Sequence, residues 1–275
     1  MTLRIVNCII DIVIHGYHLV KVKTWGEYMS LSKNEREIYS RQIMIEDIGE
    51  DGQEKLADAS VLVVGCGGLG APVLYYLTAM GIGHIGLCDG DTVSLPNLNR
   101  QILFTQDDIG KPKASTAKER LLALNPMLTA TVYDKFLDME LAETIIPTYD
   151  IVVDCLDNFE TRFVLNDACV AIGKPLIHAG IGEYYGQLMT ITPGKGPCLR
   201  CLFPNGVRDE GGKKQHGVIG PTPGVLGAMQ AIEVVKYLLG LQVCNDGLVM
   251  YDGLKLSIEK VPLKRADKCK CFPSK

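Results

Sequence analysis

At 275 residues, 47% hydrophobic and 22% charged, the chain has the make-up of a soluble globular protein long enough to bury a full core. Its formal net charge of −4 gives no global case for binding nucleic acid or an anionic membrane. Its ten cysteines are not spaced like a secreted disulfide framework.

Residues 1–28 carry an apolar run broken by Asp11. The run is too short to span a bilayer, and no small-residue cleavage site follows it. We read it as an extension and place one domain over residues 29–275. No later segment reaches transmembrane length, so the expectation is a cytoplasmic protein. From Ser32, SKNEREIYSRQIMIEDIG reads as a helix with a serine start and a glycine stop. GQEKLADA reads as a second. VLVV (61–64) is a buried strand, APVLYYLTAM a helix that ends at Gly81, and HIGLCD (84–89) the next strand. Together these make a βαβ unit.

Strands and helices keep alternating. KPKASTAKERLLALN (111–125) is helical with Pro112 in its first turn, TATVYDKF extended, MELAETII helical and DIVVDCLD (150–157) a strand. Asn158 or Asp157 caps the helix FETRFVLNDACVAIG, and KPLIHAG is a further strand. The pattern predicts a Rossmann-like, doubly wound α/β sheet of four or five parallel strands. YYGQLMTITP (184–193) then alternates as a half-exposed strand does. A loop follows over 194–222, then the helix PGVLGAMQAIEVVKYLLG (223–240) and a hairpin around Asp252-Gly253. These elements predict antiparallel strands added to the same sheet.

Gly65, Gly67 and Gly70 match G-x-G-x-x-G between a strand and a helix, and Gly68 lies inside the match. Asp89 ends the next strand, where an acidic residue holds ribose hydroxyls. Glycines let backbone N–H groups and a helix N-terminus reach phosphate oxygens without a Cβ in the way. A nicotinamide dinucleotide is the default ligand for such a loop. The residues after Asp89 argue against it: Asp91, Asn97, Arg100 and Gln101 follow at once, and Lys113 lies in GKPK. Extra cations beside a polar asparagine suit a triphosphate, whose charge grows as pyrophosphate leaves. Asp157, at the same sheet edge, is placed to hold Mg²⁺.

The motifs YSRQI (39–43), GCGGLG (65–70), DGDTVSLPNLNRQ (89–101), GKPK (110–113), DCLDN (154–158), GPCLRC (196–201) and GVIGPTPGVLGAMQAIEVVK (217–236) together resemble the MoeB/ThiF/HesA family. These proteins are relatives of ubiquitin-activating enzymes. The resemblance covers about residues 30–271. It implies adenylation of a carboxylate by ATP, typically the C-terminal glycine of a ubiquitin-like sulfur carrier ending in Gly-Gly. Some relatives act on a small-molecule carboxylate instead, and a member that binds ATP or carrier without catalysing is a further alternative. The resemblance also implies a homodimer. By position, Asp89 would hold the ribose. Asn97, Arg100 and Lys113 would contact phosphates, Asp157 would bind Mg²⁺, and Arg41 would reach the γ-phosphate in the neighbouring subunit.

Family members commonly hold a structural zinc ion on two C-x-x-C pairs. Here Cys198 and Cys201 are C-x-x-C, while Cys269 and Cys271 are C-x-C, a spacing that strains two ligands on one metal. Members that link covalently to their carrier often place a cysteine four residues before GVIGP. Lys213 stands there in this chain. The remaining cysteines, Cys8, Cys66, Cys88, Cys155, Cys169 and Cys244, are expected to be small buried hydrophobes.

Overall fold

The computed structural model describes residues 31–207, 217–266 and 269. The extension 1–28, Cys8, Lys213 and Cys271 lie outside them. Helices α1 (Lys33–Ile38), α2 (Ser40–Ile43) and α3 (Gly49–Asp58) precede strand β1 (Ser60–Val64). Then come α4 (Gly70–Ala79), β2 (His84–Cys88), α5 (Lys113–Leu124), β3 (Thr129–Tyr133), α6 (Met139–Ile145) and β4 (Ile151–Asp154). The chain continues through α7 (Phe159–Ile172), β5 (Leu176–Gly182), β6 (Tyr185–Ile191), α8 (Leu199–Leu202), α9 (Pro221–Leu238), β7 (Gly247–Asp252) and β8 (Ser257–Pro262).

All eight strands form one sheet in the order β3-β2-β1-β4-β5-β6-β7-β8. The first five in that order are parallel and the last three antiparallel. The central parallel strands β1 and β4 are apolar without alternation because helices cover both faces, whereas the edge strand β3, TATVY, is nowhere fully buried. Val61 and Val63 enter one core with Leu74, Leu121 and Leu226, whereas Leu62 and Val64 enter the other with Ile145, Leu165 and Met189. Among the described residues no helix is long and apolar enough to cross a membrane.

The expected first helix is two helices. Ser32 starts α1 with a capping box to Glu35, but the helix stops at Tyr39. Tyr39 turns inward: its ring fills the space over Gly81, and its hydroxyl accepts a hydrogen bond from Asn125 Nδ2 at 3.3 Å. Gln42 and Gln53 each donate to the Met80 carbonyl at 2.9 Å. Burial of the ring thus overrides a continuous helical pattern. Pro112 is the cap before α5 rather than a residue of its first turn. Asn158 is the cap of α7, accepting from the Thr161 amide at 2.9 Å.

Candidate active site

The chain runs from β1 to β2 and β3 on one side, then crosses to β4 on the other side of β1. That reversal opens a crevice at the carboxyl ends of β1 and β4, where doubly wound sheets bind ligands. The glycine loop follows β1 and the segment 155–158 follows β4. The two touch: a Cβ on Gly65 would lie 2.6 Å from the Cys155 carbonyl oxygen, and Gly65 has φ +96°. A Cβ on Gly70 would lie 2.0 Å from the Gly65 carbonyl oxygen. These two glycines are demanded by the fold's own close approaches. Gly67 and Gly68 face less: their Cβ atoms would meet Gln101 Nε2 and Pro223 Cβ, each at 3.3 Å.

Asp89 is tied into the loop. Its carboxylate accepts from the Cys66 amide at 2.7 Å and the Asp91 amide at 2.9 Å. Burial pushes its pKa up, against the opposing pull of those amides and of Lys113. Lys113 opens α5, its side chain 7% exposed, and Nζ reaches Asp91 Oδ2 at 3.0 Å. Asp91 also accepts the Lys113 amide on its backbone carbonyl at 2.9 Å. Asn97 Oδ1 accepts from the Ser94 amide at 3.1 Å, closing a short 3₁₀ turn. Arg100 donates through Nη1 to the Pro96 carbonyl at 2.9 Å and Asn99 Oδ1 at 3.0 Å, with its stem beside Gly68. Gln101 is 5% exposed, and its Oε1 is buried with no partner among the described residues. Asp157 is exposed, 3.5 Å from Asn158 Nδ2.

Among the residues expected to meet the nucleotide, Arg41 is the one that the fold carries elsewhere. Tyr39 and Gln42 latch its segment to the Met80–Gly81 turn, which precedes β2 and therefore lies at the amino edge of the parallel strands. A five-residue strand is about 17 Å long, so Arg41, itself exposed, is remote from its own chain's glycine loop.

Sequence reading missed a buried polar cluster directly beneath the crevice. Asp154, fully buried at the end of β4, meets His178 Nδ1 at 2.6 Å and Arg162 Nε at 3.6 Å. Arg162 also donates through Nη2 to the carbonyls of Leu156 and Ala179. Gln230 of α9 donates to the carbonyls of Asp154 at 2.8 Å and Ile177 at 3.1 Å. Burial would raise the Asp154 pKa, but Arg162 and His178 outweigh it and hold the carboxyl below the usual range. Burial holds His178 below 6.5. A carboxylate only accepts, so His178 donates from Nδ1 and keeps its lone pair on Nε2. The available signal was a charged or polar residue inside an apolar run, such as Asp154 in DIVVDC.

A second cluster lies at α8. The sulfurs of Cys198, Cys201 and Cys269 all fall within 4.8 Å of one another. Cys198 Sγ is 3.9 Å from Cys201 Sγ and 3.5 Å from Cys269 Sγ. Thiolates held tetrahedrally at about 2.3 Å from zinc stand about 3.8 Å apart, so the three fit such an ion. Against burial, hydrogen bonds from the Cys198 and Ala266 backbones and the neighbouring thiols lower the Cys201 pKa. Cys66, Cys88, Cys155 and Cys169 are buried, and burial raises Cys88 to about 12. Cys244 is only half-buried.

The ThiF family model matches residues 39–271. The chain is 43% identical over 249 residues to the sulfur carrier protein adenylyltransferase of Thermus thermophilus, a match covering 88% of this chain and 92% of that protein. It is also 43% identical over 232 residues to the sulfur carrier protein ThiS adenylyltransferase of Escherichia coli, covering 84% and 92%. Among solved structures, E. coli MccB with MccA-N7isoASN superposes with a TM-score of 0.79 at 26% identity, over 90% of this chain and 77% of that one. A crevice built on a glycine loop, in a sheet of this order and with relatives this similar along most of its length, assigns the chain to the ThiF family.

Proposed function

We propose that this chain is an adenylyltransferase that transfers AMP from ATP to the C-terminal carboxylate of a ubiquitin-like sulfur carrier protein ending in Gly-Gly. The observation that carries the reading is the gathering of Lys113, Arg100, Asp89 and Asp157 around one glycine loop, in a chain 43% identical to the E. coli ThiS adenylyltransferase. A carrier carboxylate oxygen attacks the α-phosphorus. The bond from that phosphorus to the bridging oxygen breaks, and pyrophosphate leaves with the electron pair. Negative charge therefore moves onto the leaving group, where Lys113 and Arg100 stand to receive it. Lys113 would exchange its bond to Asp91 for phosphate oxygens. Asn97 and Gln101 would complete the polar lining, and the loop N–H groups of Gly67 and Gly68 would face the phosphates.

Asp157 offers an exposed carboxylate of the kind that holds Mg²⁺ beside phosphates; the ion would neutralise phosphate charge there. Asn158 spends its side-chain oxygen on the start of α7, which fixes Asp157 at the rim. Arg41, remote from its own loop, would complete the site of a second subunit, so the working unit would be a homodimer. Cys198, Cys201, Cys269 and Cys271 would hold a structural zinc ion pinning the chain end to α8. The buried thiols of Cys66, Cys88, Cys155 and Cys169 suit a reducing compartment such as the cytoplasm.

Carrier-dependent exchange of labelled pyrophosphate into ATP tests the function. Exchange should require a carrier with a free Gly-Gly terminus. Exchange with a small-molecule carboxylate and with no carrier would overturn the choice of substrate. For the metal, purified protein should carry about one zinc per chain and lose it in Cys198→Ser; a metal-free protein of equal stability would remove that assignment.

A further inference from the structure

Asp157 is exposed, and its carboxylate meets Asn158 Nδ2 only at 3.5 Å. Among the described residues no hydrogen bond or ion pair from another element aims that carboxylate, so the backbone on either side sets its direction. On the strand side the Leu156 amide donates to Asp154 Oδ1 at 3.0 Å, and Arg162 holds the Leu156 carbonyl. On the helix side Asn158 caps α7 and Phe159 is its first residue.

One stripe of α7 is held from outside. Phe159, Phe163, Asn166 and Asp167 recur at helical spacing, and α8 with Phe203 lies across them. The Phe159 and Phe203 ring centroids are 5.3 Å apart at 76°, and those of Phe163 and Phe203 are 6.5 Å apart at 84°, both edge-to-face. The Arg200 guanidinium stands 4.2 Å over the Phe163 ring and donates to Asp167 through Nε and Nη2. The Leu199 amide donates to Asn166 Oδ1 at 3.0 Å. Those polar contacts grip the later turns of α7, whereas Phe203 reaches its first residue. Phe203 is itself fixed: its amide donates to the Leu199 carbonyl at 2.8 Å, and its carbonyl accepts from the Gly206 amide at 3.0 Å.

We propose that Phe203 is a positioning residue for the metal-binding carboxylate. By packing edge-on against Phe159 it fixes the first turn of α7, and with it the direction of Asp157 at the crevice rim. The proposal rests on the reading of Asp157 as a Mg²⁺ ligand and adds a support contributed by the segment that follows Cys198 and Cys201. Mg²⁺ demands near-ideal octahedral geometry at about 2.0–2.1 Å. A carboxylate on a swinging backbone therefore loses the ion before the glycine loop loses the phosphates, and packing behind a ligand decides how well it holds its place.

The test is ATP binding measured by calorimetry, as the ratio of affinity with saturating Mg²⁺ to affinity in EDTA. In the parent, Mg²⁺ should strengthen ATP binding, and Asp157→Asn should abolish that gain. Phe203→Leu should reduce the gain about 3- to 10-fold, the size of effect expected from one edge-to-face aromatic contact. Affinity in EDTA should be unchanged. Phe203→Tyr, which keeps the ring, should keep the parental gain. Phe159→Leu removes the same contact from the other side and leaves α8 intact. It should reduce the gain equally, and the double variant should lose no more than either single one. If Asp157→Asn abolishes the gain while both leucine variants keep it, the brace is overturned and the metal reading stands. If all three keep it, the brace and the reading of Asp157 both fail. Equal weakening of ATP with and without Mg²⁺ would make the contact general packing and overturn the proposal.

Discussion

Two polar layers lie one above the other at the carboxyl edge of the sheet, and they are built in opposite ways. The upper layer is Lys113, Asp91, Arg100, Gln101 and Asp157. Its members are partly exposed or incompletely bonded: Asp157 faces solvent, Arg100 bonds only neighbours in its own loop, and Gln101 Oε1 has no partner among the described residues. The lower layer is Asp154, Arg162, His178 and Gln230. It is buried, charge-matched and bonded to the backbone of β4 and β5. Both layers hold a buried polar atom without a hydrogen-bond partner among the described residues, Gln101 Oε1 above and Arg162 Nε and His178 Nε2 below. The difference therefore lies in exposure and charge pairing. Asp157 and, in part, Arg100 open to solvent where a ligand would be received, while the buried Asp154, Arg162 and His178 pair with one another and hold the strand ends in place.

The comparison breaks most visibly from below. Asp154→Ala leaves the buried Arg162 without its counter-charge and should cost about 3–5 kcal/mol, read as a fall in the urea midpoint. Loss of less than about 1 kcal/mol would show that Arg162 finds other partners and that the lower layer is not a scaffold.

Within the glycine loop the same division should appear between neighbours. Gly70→Ala drives a methyl group into the Gly65 carbonyl and should destabilise by about 3 kcal/mol. Gly67→Ala meets only the Gln101 amide, so its stability should change by less than about 1 kcal/mol while ATP binding weakens. Equal loss of stability in both variants would remove the distinction between packing glycines and ligand glycines.

In the upper layer, Arg100→Ala should slow pyrophosphate exchange about 100-fold, near 2.7 kcal/mol in the barrier, with the unfolding midpoint nearly unchanged. An exchange rate equal to that of the parent would withdraw Arg100 from transition-state stabilisation.

The smallest effect concerns pH. Burial holds the folded His178 below 6.5, so the unfolded chain binds the proton first as pH falls. The stability this contributes is present above about pH 6.5 and is lost as pH drops toward the folded value. His178→Asn should therefore flatten the fall in stability just below pH 6.5. His84, also held below 6.5 by burial, leaves a residual slope of the same sign. An unchanged slope in the variant would mean that the buried imidazole does not take its proton on unfolding.

Much of this was legible in the chain itself. Period and punctuation are local properties. Apolar runs located β1 and β2 as parallel strands, and the cap of α7 was narrowed to Asn158 or Asp157, of which the fold uses Asn158. The gathering of Asp89, Asn97, Arg100 and Lys113 at the glycine loop was readable because segments that follow strand ends come together at one edge of a doubly wound sheet. Tertiary structure decided what depends on residues far apart. It broke the first helix at Tyr39 because the ring finds its place over Gly81, 42 positions later. It assigned Gly65 and Gly70 to contacts within the fold, joined Cys269 to Cys198 across 71 positions, and assembled Asp154, Arg162, His178 and Gln230 from four separate elements. The physical reason is common to all of them. A local pattern states which residues prefer to be buried or bonded, but only the closed sheet supplies the partner, and burial without a partner is what the fold must avoid.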